Sequence, residues 1–97
     1  MKAVFIVHNQ AYNEEIAEIL YSLGQKGFTR WQDIEGNGSD TGIPRFGSHA
    51  WPEMNIGILS MMDDDKVQPL LDELKKKDEE SPKLGLRAFV WNIEAAY

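Results

Sequence analysis

The chain has 97 residues, a formal charge of −6 at pH 7 and no cysteine. That length suits a single domain, here residues 1–97, with a modest core and much of its surface in water. The acidic balance argues against a nucleic-acid or anionic-membrane surface, and the lack of cysteine removes both a disulfide framework and a thiolate metal site.

Residues 2–8, KAVFIVH, follow Met1 directly with no signal-peptide form, so the default compartment is the cytoplasm. No apolar run in the chain nears the roughly 20 residues of a spanning helix, so no membrane insertion is expected. The segment is β-branched and aromatic with apolar side chains on both pleat faces, the pattern of a central strand covered on both sides. Asn13 is placed to cap a helix, with Glu14 and Glu15 in its first turn. Ile16, Ile19, Leu20 and Leu23 recur at i, i+3, i+4 and i+7 and give it one buried face, and Gly24-Gln25-Lys26-Gly27 stops it.

Phe28 to Glu35 reads as a second strand, more polar and therefore at an edge. A long loop follows from Gly36 to Glu53, GNGSDTGIPRFGSHAWPE, with no period of its own. Irregular connections beyond about 12–15 residues are uncommon in compact domains unless they are functional or disordered, so this loop is expected to be the working part. Met54 to Met62 is a third strand, again apolar on both faces. Asp63-Asp64-Asp65 opens a second helix. Because Pro69 is tolerated only in a first turn, the regular helix is expected to begin near Val67, with Lys75, Lys76 and Lys77 at its C-terminal end. DEESPKLG is a charged, mobile connector by composition, and Leu86 to Ile93 is a fourth strand.

The order β-α-β-β-α-β predicts an α+β, ferredoxin-like fold, a four-stranded antiparallel sheet with two helices on one face and the first and third strands in the centre. Two helices cover one side of such a sheet. An apolar second side needs cover from outside the chain, and further copies of the same sheet are the simplest cover.

Gly24-x-x-Gly27-x-Thr29 followed by Gly36-x-Gly38-x-x-x-Gly42 resembles the PII signalling proteins, which carry the same order of glycine and threonine just before their long T-loop. The resemblance continues through Trp51-Pro52, the strand MNIGILSMM and the acidic helix start at Asp63-Asp64, and the second strand here is one residue longer. PII proteins are trimers that bind ATP or ADP, and often 2-oxoglutarate, in clefts between subunits. They signal by reshaping the T-loop against a target. The resemblance therefore implies a homotrimeric regulatory protein rather than an enzyme, with a small-molecule effector and a target such as a transporter or enzyme.

It also implies site residues. Thr29, Gly36 and Gly38 match positions lining the nucleotide cleft. Arg87 matches a basic phosphate-contacting position, because LRAFV resembles the family's Gly-Lys-hydrophobic-Phe-Val. Asp40 falls where the family has a glutamine that contacts magnesium and 2-oxoglutarate; an acidic side chain there suits a cation and repels a dicarboxylate. Arg45, Phe46, His49 and Trp51 are the expected partner contacts on the loop. The chain departs from the family where DEESPKLG replaces the glycine-rich B-loop, since acidic neighbours and one glycine make a poor phosphate cradle. The arginine-bearing segment that closes over the nucleotide is expected to have no counterpart after Tyr97, and no uridylylated T-loop tyrosine is evident.

Two other classes remain open. His49, Trp51 and Glu53 fall on one side of an extended strand, so His49 and Glu53 are candidate divalent-metal ligands in a CutA-like protein, with His8, Asp33 or Glu35 in support. A solvated loop with an aromatic anchor explains the same residues. His8, Asn9 and Trp31 around a cavity would suit a small dimeric enzyme, although the chain has no nucleophile beside a base and no phosphate-loop pattern.

Overall fold

The computed structural model describes residues 1–38, 42–81 and 83–97. It contains β1 (Lys2–Asn9), a 3-10 turn (Gln10–Tyr12), α1 (Asn13–Ser22), β2 (Thr29–Ile34), β3 (Asn55–Met62), α2 (Asp64–Glu80) and β4 (Arg87–Asn92). The strands form one antiparallel sheet in the order β2-β3-β1-β4, so the two strands with apolar residues on both faces are the central pair and the polar β2 lies at an edge.

One face carries both helices. Val4 and Ile6 of β1 and Ile56, Ile58 and Met62 of β3 meet Ile16 and Leu20 of α1 and Leu70 and Leu74 of α2 in a single buried cluster. Each fully buried Ile or Leu there contributes about 1.5–3 kcal/mol. Leu84 and Leu86, from the connector after α2, close the same cluster.

The other face is apolar and open. Across the sheet, Ala3 sits opposite Met61 and Trp91, and Phe5 opposite Leu59 and Phe89. Phe89 is 55% exposed, Trp91 50%, Met61 47% and Trp31 46%. Single exposed hydrophobics are ordinary, whereas a contiguous row on one sheet face is not.

Three local expectations are corrected. Asn13 is the first residue of α1 rather than its cap; Tyr12 holds the cap position without a side-chain hydrogen bond, and Asn9 caps the preceding 3-10 turn, its Oδ1 accepting from the Ala11 N–H at 3.0 Å. Second, α2 begins at Asp64 and contains Pro69 as an interior residue. Proline supplies no N–H for the Asp65 carbonyl, yet Leu70 and Leu74 lie in the core, and that burial holds the turn. Third, α2 continues past the lysines to Glu80, so only Lys77 lies in its last turn. It ends at Ser81, which is extended (φ −132°, ψ 84°) and precedes Pro82, where the helical region is disfavoured.

The extra residue of β2 is taken up by a bulge. Trp31 pairs with Gly57 and Ile34 with Asn55, leaving Gln32 and Asp33 opposite Ile56 alone, with Asp33 at φ +55°.

Candidate functional site

The described parts of the long loop, residues 36–38 and 42–53, are held by backbone hydrogen bonds. Gly36 and Arg45 exchange both backbone hydrogen bonds at 2.8 Å, closing one turn of the loop. Gly47 N–H donates to the Glu53 carbonyl at 3.2 Å and Ser48 N–H to the Trp51 carbonyl at 2.9 Å, closing a second. Gly36 is required where it stands, because a Cβ there would run into the Asn55 amide. At the sheet end, Asn9 N–H donates to the Leu84 carbonyl at 2.8 Å and Gln10 N–H to the Met54 carbonyl at 3.0 Å. The end of β1 thus ties the loop exit and the α2–β4 connector together.

Between loop and connector lies a cleft of about 590 Å³, within the size range of small-molecule sites. Its polar lining includes Arg45, Lys83 and Arg87 against Glu53 and Asp78, and Gly38, Trp51 and Pro52 supply glycine backbone and an apolar wall. Arg45 crosses it. The guanidinium Nη2 donates to the Lys83 carbonyl at 3.1 Å, and Nε lies 3.7 Å from a Glu53 carboxylate oxygen. Gly85 makes this possible: it sits at φ +59°, and a Cβ on it would come within 2.7 Å of the guanidinium carbon. Arg87, an exposed residue of the lining, donates from Nη1 to its neighbour's carbonyl, Leu86 O, at 2.7 Å. Among the described residues, three cations against two carboxylates make the cleft locally basic in an acidic chain, suited to an anion.

The structure brings Gly38, Arg45, Trp51, Glu53 and Arg87 to this cleft. Thr29 begins β2 opposite Leu59 on the open sheet face, away from the cleft of its own chain. Phe46 and His49 are exposed and outside the lining. Asp40 lies outside the described residues. Arg45, expected to face a partner, is turned inward onto the connector, because the Gly36 pairing directs its side chain over Gly85.

His49 and Glu53 do not form the extended arrangement that suggested metal binding. The Ser48 Oγ accepts from Trp51 N–H at 3.1 Å and bends the chain between them, while Glu53 faces Arg45. Among the described residues there is no group of three His, Cys, Asp or Glu placed to hold a metal. His8 is fully buried on the helix side, with Nδ1–H donating to the Asn9 carbonyl at 2.8 Å. Burial pushes its imidazole below the ordinary value, opposed by that hydrogen bond and by Glu15.

Sequence reasoning missed Lys83 and Gly85. Both lie in DEESPKLG, where one glycine looked too few for a cradle. A lone glycine beside a lysine, just before a strand, was the available signal.

Comparison with known proteins identifies the fold and the family. No curated protein sequence matches the chain significantly. Among solved structures, CPII of Thiomonas intermedia K12, a nitrogen regulatory PII-like protein bound to ADP, AMP and bicarbonate, superposes with a TM-score of 0.77 at 23% identity over 99% of this chain and 92% of that one. CPII bound to ADP and bicarbonate gives 0.76 at 25% identity, over 95% and 84%. A PII-like signalling protein of Thermus thermophilus gives 0.68 at 26%, over 95% and 85%. The sequence model of the family described as nitrogen regulatory protein P-II matches residues 1–97, and the chain therefore belongs to the P-II family of regulatory proteins.

Proposed function

We propose that the chain, as one domain with residues 36–53 as its T-loop, is a trimeric regulatory protein that binds a small anionic effector in the cleft at the loop base and signals through the loop. The observation that carries this reading is the convergence of Arg45, Lys83 and Arg87 with Gly38 and Trp51 in one cleft. Adenine nucleotide and bicarbonate are the effectors to try first, because CPII has been solved with both. Trp51, 42% exposed on the cleft wall, offers a stacking surface for a base, and Arg87 a phosphate contact.

The open sheet face supports assembly. Phe89, Trp91, Met61 and Trp31 lose water contact when copies pack face to face, and Thr29 then borders a neighbour's cleft. Ile43 and Phe46 are exposed apolar side chains on the loop, suited with His49 to contact a transporter or enzyme. The protein works in the cytoplasm by binding, not by catalysis. Among the described residues no helix is long and apolar enough to cross a membrane.

A thermal-shift series with ADP, AMP and sodium bicarbonate tests the effector. A ligand that binds only the folded state stabilises by about 2.7 kcal/mol at a hundred times its Kd, and Arg87→Ala should reduce that shift. No shift with any of the three at millimolar concentration, together with a monomeric mass by light scattering, would overturn the reading.

A further inference from the structure

The cleft is partly filled by its own loop. Arg45 belongs to the loop through its backbone rung with Gly36, and to the connector through its hydrogen bond to the Lys83 carbonyl and its seat over Gly85. Among the described residues it is a side chain that joins the two. We infer that Arg45 is a pin holding residues 36–38 and 42–53 on the α2–β4 connector, and that a small oxyanion releases them by replacing the Lys83 carbonyl and Glu53 as its partners. The release step rests on the cleft being the effector site; the pin itself rests on the contacts alone.

The present partners are weak ones. The Glu53 oxygen at 3.7 Å is beyond hydrogen-bond distance, so that attraction is Coulombic only. Nε is buried and has no hydrogen-bond partner among the described residues. The bond to Lys83 is to a neutral carbonyl. A guanidinium presents a planar fork of donors that an oxyanion meets with two parallel bonds, roughly twice as strong as neutral ones. Phosphate or bicarbonate therefore offers Arg45 more than it now has, and Glu53 is the internal competitor that sets the threshold.

Release reaches the loop through named bonds. When the Arg45 side chain turns to the anion, the Gly36–Arg45 rung loses its anchor, and Glu53, whose carbonyl closes the second turn at Gly47, loses its cation.

Amide hydrogen exchange on the full chain tests this at Gly36, Arg45, Gly47 and Ser48, the loop amides with backbone partners. Without anion, Arg45→Gln and Gly85→Ala should each raise exchange there about tenfold or more, while β1 and β3 amides keep their protection and show that the fold persists. Exchange equal to that of the unaltered chain in Arg45→Gln would overturn the pin. In the unaltered chain, inorganic phosphate and sodium bicarbonate are added in separate arms against chloride of equal ionic strength, with binding followed by calorimetry. Faster loop exchange on binding supports release, and Glu53→Gln should lower the anion concentration required. Anion binding with unchanged loop protection overturns release and leaves the effector site standing. No binding heat from either anion overturns release and counts against the effector reading, and the Arg45→Gln comparison still decides the pin.

Discussion

At the scale of single residues, two buried polar groups have testable energetics. His8 is neutral in the folded chain, because burial outweighs both its bond to the Asn9 carbonyl and the field of Glu15. Its folded pKa lies below the unfolded value near 6.5, so the unfolded state binds the proton first. Stability from this site is complete above pH 6.5 and falls as pH drops toward the folded pKa, with a slope of up to about 1.4 kcal/mol per pH unit. Urea titrations from pH 8 to pH 5 should show that decline, and His8→Leu should flatten it. Ser60 is the second. Its Oγ accepts from Gln25 Nε2 at 2.9 Å and donates to the Gly27 carbonyl at 2.6 Å, and Gln25 also reaches the Met61 carbonyl at 2.9 Å. Gln25 Nε2 also donates to the Gly27 carbonyl at 3.0 Å, so Ser60→Ala removes two hydrogen bonds without orphaning a partner and is expected to cost about 0.5–1.5 kcal/mol per bond lost, read as a lower urea midpoint with an unchanged m-value. Sequence alone placed His8 at the end of a strand covered on both sides. It said nothing of Gln25, which sits in a glycine turn after the helix and is drawn inward only because β3 passes beneath it.

At the scale of elements, the apolar periods of 3.6 and 2 placed both helices and all four strands to within a few residues, because each period is a direct consequence of which side chains must face the core. The misplaced boundaries have local causes, a 3-10 turn capped by Asn9 and a proline carried inside α2 by Leu70 and Leu74. The bulge in β2 is a third local device. Asp33 holds a left-handed backbone, which asparagine, aspartate and glycine tolerate and β-branched residues resist. Asp33→Val is expected to destabilise by about 1–2 kcal/mol while Asp33→Gly stays close to neutral; equal melting temperatures for the two would show that the bulge imposes no strain. The connector after α2 was read as mobile because of its charges. Leu84 and Leu86 anchor it in the core, and that anchoring sets Lys83 and Gly85 beside the loop.

At the scale of the whole molecule, the proposed assembly links the open face and the cleft. The row Trp91–Ala3–Met61 and the row Phe89–Phe5–Leu59 run across the sheet on the side without helices. Under the proposed assembly, Trp91→Glu places a charge in that row and should convert the trimer to monomers in light scattering, with the far-ultraviolet spectrum kept. A trimer that survives the substitution would move the interface elsewhere. Under the same proposal effector affinity should fall with assembly lost, because Thr29 does not line the cleft of its own chain and would have no neighbour's cleft to border.

The sequence by itself determined the element order, the central pair of strands, the apolar second face and the family resemblance. Each follows from residue periodicity or from glycine spacing, which are properties of neighbours along the chain. Only the tertiary structure decided the site. Gly36 pairs with Arg45, Arg45 reaches Lys83 and Gly85, and Glu53 turns to Arg45 instead of aligning with His49. The contact between Arg45 and Lys83 joins segments far apart in the chain (|i−j| = 38). No local pattern encodes such a pairing, because it depends on where the sheet and Leu84 bring the backbone together.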